Sequence, residues 1–366
     1  MKILQIAPPW VDVPPEDYGG TEWVIYNLIS GLEKLGHSVT LFATKSSNPP
    51  RGTKLRYILR QSLVELDTPW EAALPPLLHY YEAFKLAEEY DIVHAHLSSQ
   101  TDIITLPFLA GLIQKNIPAV LTIHGHQPFD RFSFSDQPYF QRYSRYIYAI
   151  SISKAMAALT PKRFKKAGVA YNSIDLSTIK FGNGGSYLTW LGKIVPDKGL
   201  HEAILVARET GEQLVFAGLV DKYQQISVDY YQKKVLPFID NKQIIYMGPA
   251  DLKLKNQLLG GAKAFLNPIR WEEPFGMVMI ESMAAGTPVI SFDRGAAAEL
   301  IIDGKTGFLV KTKKQMINAI KKIDAIKRTD CRLHVKECFT PKIAAQQHIK
   351  IYKKIIVNSS KSTAQR

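Results

Sequence analysis

Cysteine is almost missing from this 366-residue chain; Cys331 and Cys338 are the only two. Two cysteines cannot build a disulfide framework, and nothing near them completes a zinc site. Their seven-residue spacing suits one helix face in a core, and a reducing cytoplasm is the expected setting. Long apolar runs are lacking too. The longest candidate, Ile103 to Ile113, is broken by Thr105, Pro107 and Gly111, and falls short of the ~18 residues that span a bilayer. The start, Met1-Lys2-Ile3-Leu4-Gln5-Ile6-Ala7, reads as a strand meeting Pro8-Pro9 rather than as a signal peptide. Two nucleotide-binding signatures are missing as well. Ala-Pro-Pro-Trp follows Ile6 and Gly-Lys-Ile-Val-Pro-Asp-Lys-Gly follows Leu191, so neither half has the Gly-x-Gly-x-x-Gly of a dinucleotide oxidoreductase, and neither has a Walker-type loop.

Acidic residues are scarce in one place only. The net charge is +13, which suggests a nucleic-acid partner until it is mapped. Residues 1–180 hold 18 Lys+Arg against 16 Asp+Glu, and residues 181–310 hold 13 against 14. The last 56 residues hold 15 against 3. The basicity therefore belongs to the C-terminal segment, and no nucleic-acid partner is expected.

Short β-rich runs alternate with helical patterns, as in parallel α/β units. Strands are expected at Ile3–Ala7, Val39–Ala43, Ile92–Ala95, Ala119–Ile123, Tyr146–Ile150 and Val169–Tyr171 in the first half. In the second they are expected at Tyr187–Leu191, Leu214–Ala217, Ile244–Tyr246, Ala264–Leu266, Val289–Ser291 and Phe308–Val310. Val24, Leu28, Leu32 and Leu35 recur at helical spacing, with Gly36 as the stop. Further helical stretches fall near 201–210, 251–259, 275–285 and 313–326. The run Gly182-Asn183-Gly184-Gly185 has linker composition. The expected organisation is an N-terminal domain over 1–180, a second over 181–340, and a helix with a polar tail over 341–366. Each domain is a doubly wound Rossmann-like sheet that takes ligands at the carboxyl ends of its strands. The helix spans Pro341 to Val357, and Asn358–Arg366 is expected to be disordered.

The most informative stretch runs from Trp271-Glu272-Glu273-Pro274-Phe275-Gly276-Met277 through Glu281-Ser282-Met283-Ala284-Ala285-Gly286-Thr287-Pro288-Val289-Ile290. It reads as a loop, a helix from about Phe275, a glycine stop and a buried strand. A helix start at Gly276 offers backbone N–H groups and the positive end of a dipole to an anion. Glu281, six residues on from Phe275 and ~9 Å along the axis, could accept two ribose hydroxyls. Glu273 could accept hydroxyls from whatever hangs off the phosphates. The spacing fits equally well two surface glutamates that favour the helix dipole.

This stretch closely resembles the retaining glycosyltransferases of family 4, which have the GT-B fold. The resemblance extends in order along some 300 residues, through Tyr18-Gly19-Gly20-Thr21-Glu22, Asp91-Ile92-Val93-His94-Ala95-His96, Thr122-Ile123-His124-Gly125, Tyr171-Asn172-Ser173-Ile174-Asp175, Gly192-Lys193-Ile194-Val195-Pro196-Asp197-Lys198-Gly199 and Val215-Phe216-Ala217-Gly218. It implies two Rossmann-like domains with a cleft between them and a C-terminal helix returning to the first. It also implies transfer of a sugar, a hexose, from a nucleotide-diphosphate sugar to a hydroxyl acceptor. The anomeric configuration is retained and no essential metal or other cofactor is needed. Lys193 and Lys198 would hold the diphosphate together with amides near Phe275, Gly276 and Met277; arginine is commoner at the position of Lys193, so a bidentate grip gives way to a point charge. Glu281 would bind ribose and Glu273 the donor sugar. Gly19 and Gly20 would approach the diphosphate, and His124 would contact the transferred sugar. A GT-B-shaped sugar-nucleotide 2-epimerase and a non-catalytic sugar-nucleotide-binding protein are the alternatives.

Four further readings rest on single features. His94 and His96 share a strand face, but a third metal ligand is missing, so no metal site is expected. Trp10 and Trp271 could form a sugar platform or core. The segment Phe129–Tyr148, rich in Phe, Tyr and Arg, could belong to the acceptor site. The basic C-terminal helix could attract an anionic membrane at the inner face, or it could simply be docked, with lysines that keep it soluble.

Overall fold

The computed structural model describes residues 1–15, 19–98, 101–125, 142–222 and 224–364. Tyr18 and most of the segment Phe129–Tyr148 lie outside these residues. The chain divides into two compact units, Met1–Ser173 with Pro341–Arg366, and Ile174–Thr340.

The first unit is built on a seven-stranded sheet in the order β3-β2-β1-β4-β5-β6-β7. Its strands are β1 (Lys2–Ile6), β2 (Ser38–Phe42), β3 (Lys54–Arg56), β4 (Ile92–Leu97), β5 (Ala119–Ile123), β6 (Tyr148–Ser151) and β7 (Lys165–Val169). Every pairing is parallel. Parallel sheets are covered on both faces, so the inner strands read as continuous apolar runs. Ala119–Ile123 and Ile92–Leu97 are buried at every position. The outer strands depart from that pattern, and sequence reading failed there. β3 is only Lys-Leu-Arg, and β7 starts on Lys165-Lys166, four residues ahead of the expected Val169–Tyr171. Charged residues suit an edge that must not pair further, and they hide the strand from a hydrophobicity pattern.

Helix Gly20–Lys34 buries Val24, Ile25, Leu28, Ile29 and Leu32. Gly36, at φ +80°, closes its end as expected, and its N–H donates to the Glu33 carbonyl. The C-terminal helix Pro341–Ala364 packs against this helix. Its Ala345, Ile351, Tyr352 and Ile355 join the core of Ile3, Leu28, Leu32, Val39 and Leu41. The helix continues past Val357 through residues expected to be disordered. Nothing between Asn358 and Ala364 is a glycine or proline, and the Ser359 hydroxyl bonds back to the Ile355 carbonyl. Lys342, Lys350, Lys353 and Lys354 are exposed while Ile351, Tyr352 and Ile355 are buried. Ile351, Tyr352 and Ile355 are thus used in docking within this unit. Among the described residues, no helix is long and apolar enough to cross a membrane.

The second unit carries a six-stranded parallel sheet, order β10-β9-β8-β11-β12-β13. Its strands are β8 (Tyr187–Leu191), β9 (Leu214–Ala217), β10 (Ile244–Tyr246), β11 (Ala262–Asn267), β12 (Val289–Phe292) and β13 (Gly307–Val310). These match the expected runs to within two residues at each end. The run Gly182–Gly185 falls within this unit, with Gly182 and Gly184 half-buried. The Arg328 guanidinium donates to the carbonyls of Gly182, Gly260 and Ala262 and to the Thr287 hydroxyl. A Cβ on Gly182 would sit 2.1 Å from the Gly260 carbonyl oxygen, so these glycines serve close backbone approach rather than flexibility. Arg328 begins the helix Arg328–Cys338, which holds both cysteines; Cys331 is buried.

At Gly31 the helix Gly20–Lys34 comes close to the start of the helix Pro341–Ala364. Alanine in mid-helix normally gains ~1 kcal/mol over glycine. Here its Cβ would lie 2.1 Å from the Pro341 carbonyl oxygen, and overpacking costs about 1–3 kcal/mol. Gly31→Ala is therefore expected to lower the urea midpoint of unfolding, and a raised midpoint would show that the docking does not depend on this contact.

Candidate active site

In the second unit, the site residues sit on loops that leave the carboxyl ends of β8, β9 and β11. Gly192 and Gly218 end the neighbouring strands β8 and β9. A Cβ on Gly218 would meet the Gly192 carbonyl oxygen at 2.0 Å, so bare glycine lets the two loops close up. Lys193 thereby meets Asp221, Nζ to Oδ2 2.7 Å. The Ser227 hydroxyl fastens the pair from behind, donating to the Ile194 carbonyl and accepting from the Asp221 N–H.

Lys198 ends a single turn, Pro196–Lys198, stopped by Gly199 at φ +71°. A Cβ on Gly199 would lie 1.9 Å from the Pro268 carbonyl oxygen. The turn is tied down by the Trp190 indole N–H to the Lys198 carbonyl and by the Arg270 N–H to the Asp197 carbonyl. These contacts set Lys198 Nζ 2.6 Å from Glu273 Oε2 and 5.0 Å from the centre of the Trp271 ring. The Trp271 indole N–H donates to the same Glu273 oxygen. Trp271 is thus placed beside both charged groups, whereas Trp10 is core: it is 1% exposed and stacked on Trp70.

Glu273 is held by its own backbone. Its carbonyl accepts from the Ala296 N–H, and Glu272 accepts from the Gly295 N–H. Helix Met277–Ala284 then begins after Gly276, which sits at φ +92° with no side-chain cap. Phe275 is buried against Phe339. Because the helix starts at Met277 and not Phe275, Glu281 lies four residues in, ~6 Å along the axis instead of ~9 Å. Glu281 Oε1 accepts from Lys255 Nζ at 2.8 Å.

Three lysine–carboxylate pairs result: Lys193–Asp221, Lys198–Glu273 and Lys255–Glu281. Their side chains are 12–29% exposed, against 70% and 43% for the surface pair Lys233–Asp229. Partial burial makes these charges less screened by salt. Sequence reading singled out neither Asp221 nor Lys255. Lys255 belongs to helix Leu252–Gly260 and resembles any surface lysine in Lys253-Leu254-Lys255; only the fold brings it to Glu281.

In the first unit, Gly19 precedes the helix Gly20–Lys34 and Gly20 opens it. A Cβ on Gly19 would touch Pro15 and Glu22 at 2.7–2.9 Å, whereas one on Gly20 would meet nothing within 4 Å. Steric need for glycine is therefore confined to Gly19. The buried Glu22 carboxyl is pushed up to about 7 by desolvation, with Asp102 adding repulsion.

His124 follows β5, its N–H donating to the Leu97 carbonyl. Its Nε2 lies 2.9 Å from His96 Nδ1. Burial, with repulsion from His348, pushes its imidazole down to about 3, so the ring is neutral. His94 and His96 are fully engaged in hydrogen bonds with Tyr352, Thr122, Gln5 and His124. Among the described residues, no group of three His, Cys, Asp or Glu side chains is arranged to hold a metal ion.

Two family models cover consecutive spans of the chain: Glycosyltransferase Family 4 over residues 18–178 and Glycosyl transferases group 1 over residues 179–335. The glycogen synthase of Mycobacterium tuberculosis is 26% identical over 350 residues, covering 84% of this chain and 81% of that protein. The uncharacterized glycosyltransferase MJ1178 of Methanocaldococcus jannaschii is 25% identical over 323 residues, 85% of each. Among solved structures, HepE of Anabaena in complex with UDP-glucose matches with a TM-score of 0.70 at 19% identity, over 97% of this chain and 100% of that one. Two Rossmann-like parallel units, the ordered motifs and the two matched models together place this chain in the group 1 glycosyltransferases, family 4, with the GT-B fold.

Proposed function

We propose that this glycosyltransferase moves a sugar from a nucleotide-diphosphate sugar to a hydroxyl acceptor with retention of configuration and without an essential metal. The observation that carries this reading is the placement of Lys198–Glu273 immediately before the helix Met277–Ala284 and of Lys255–Glu281 one turn into it. One ligand with an anionic centre and hydroxyls on both sides matches that order of charges. A diphosphate at the helix start takes up Lys198 and Lys193, together with the amides near Phe275, Gly276 and Met277. Glu273 then exchanges its lysine for hydroxyls of the donor sugar, and Glu281 accepts the ribose hydroxyls. The UDP-glucose held by a protein of the same fold is a donor of this class.

When the sugar C1–O bond to the diphosphate breaks, negative charge grows on the leaving oxygen. Lysines and helix amides already fixed around it stabilise that charge without reorganising. The acceptor oxygen bonds to C1 from the face the diphosphate leaves, and its proton passes to the departing phosphate oxygen. His124 contacts the transferred sugar, and the Gly19–Gly20 backbone approaches the diphosphate. We place the reaction in the cytoplasm, where nucleotide sugars are available to a chain of this type.

The two glutamates are expected to separate in binding. Glu281→Ala weakens binding of the free nucleoside diphosphate about tenfold or more, the loss of charged hydrogen bonds to ribose. Glu273→Ala leaves that binding near wild type while transfer falls by about 10–100-fold. Calorimetry and steady-state rates on both variants check this; normal binding and turnover in both would refute the donor-site assignment.

A second expectation concerns positive charge. Lys193→Ala with Lys198→Ala should lower turnover by about 10²–10³-fold, the scale of losing preorganised charge stabilisation, with the unfolding midpoint unchanged. Wild-type turnover should persist in excess chelator. Complete loss in chelator that metal restores would contradict this mechanism.

A further inference from the structure

Under the carboxyl end of β5 lies a buried chain of hydrogen bonds with only neutral members. Thr122 Oγ1 is 2.7 Å from His94 Nε2, and His94 Nδ1 is 2.6 Å from the Tyr352 hydroxyl. Gln5 joins the Tyr352 hydroxyl through Nε2 at 3.1 Å and His96 Nε2 through Oε1 at 2.8 Å. His96 Nδ1 then meets His124 Nε2. Gln5, His94, His96 and Tyr352 are at most 1% exposed. Burial keeps the Tyr352 hydroxyl protonated and the His94 and His96 rings neutral.

Each neutral imidazole has one donor and one acceptor nitrogen, so the whole chain has a single direction. The Gln5 amide sets it. Its Nε2–H donates to the Tyr352 oxygen, so the Tyr352 proton is left to donate to His94 Nδ1. Gln5 Oε1 therefore faces His96 and accepts from His96 Nε2–H. His96 Nδ1 is left with a lone pair and accepts from His124 Nε2–H. His124 Nδ1, which makes no hydrogen bond among the described residues, is left unprotonated.

We propose that Gln5, His96 and Tyr352 are positioning residues that lock His124 in its Nε2–H tautomer, so that Nδ1 acts as a hydrogen-bond acceptor for a hydroxyl of the transferred sugar. This rests on the sugar contact proposed for His124 and specifies its chemistry. The C-terminal helix, through Tyr352, thereby sets which group on the sugar His124 can recognise: a hydroxyl that donates.

The test is ¹⁵N NMR of histidine-labelled full-length protein, with His124 assigned by His124→Gln. Wild type is expected to show a protonated Nε2 and an unprotonated Nδ1 at His124. Gln5→Glu, which still accepts from His96, keeps that state. Gln5→Met and the milder Tyr352→Phe release the direction of the chain and give mixed tautomers. In parallel, kcat/KM for the sugar donor falls about tenfold in both, while affinity for the free nucleoside diphosphate stays at the wild-type value. A proton on His124 Nδ1 in wild type, or wild-type tautomers in both releasing variants, overturns the proposal. So does a released tautomer with unchanged transfer. The nucleotide-binding arm reads the donor site separately, and its loss in wild type would instead refute the function proposed above.

Discussion

Parallel pairing is the constraint on which everything else in this chain rests. In each sheet all strands point the same way, so each unit delivers its loops to one edge. Gly19 follows β1, His124 follows β5, Lys193 and Lys198 follow β8, Asp221 follows β9 and Glu273 follows β11. Residues 75 positions apart, such as Lys198 and Glu273, become neighbours only through this topology. The glycines complete it. Gly192, Gly199 and Gly218 admit backbone contacts that any Cβ would block, and those contacts aim the two lysines.

The site then depends on charges that are paired but not sealed in. Fully exposed lysines would be screened, and fully buried ones would lose more in desolvation than their partners return. The three pairs of the second unit lie between these limits. An anionic ligand can take the lysines from their carboxylates and leave those carboxylates ready for hydroxyls. In the first unit, by contrast, His79, His94, His96 and His348 are buried, and burial favours their neutral form.

Much of this was legible in the residues. The inner strands announce themselves as apolar runs, and Glu273 through Ile290 displays a loop, a helix and a strand in order. What was hidden has physical causes. The edge strands β3 and β7 are charged because they are edges. The Gly182–Gly185 run looks like a linker because close packing and flexibility both call for glycine. Lys255 and Asp221 carry no local signal, since their roles arise from contacts with Glu281 and Lys193. The pairing of His94 and His96 on one strand face was visible, but their hydrogen bonds to Tyr352 and Gln5, 347 residues apart, were not. The C-terminal helix ran beyond its expected end because polar residues without glycine or proline do not stop a helix already docked.

The central claim, that the second unit reads the ribose and diphosphate of a nucleotide sugar through Glu281, is tested most directly by a thermodynamic cycle. Binding of the preferred nucleoside diphosphate and of its 2′,3′-dideoxy analogue would be measured calorimetrically on wild type and on Glu281→Ala. Removing the hydroxyls is expected to cost wild type about tenfold or more in affinity and to cost the variant almost nothing, because the two changes delete the same contact. An equal loss in both proteins, or no binding of any nucleoside diphosphate to wild type, would contradict it.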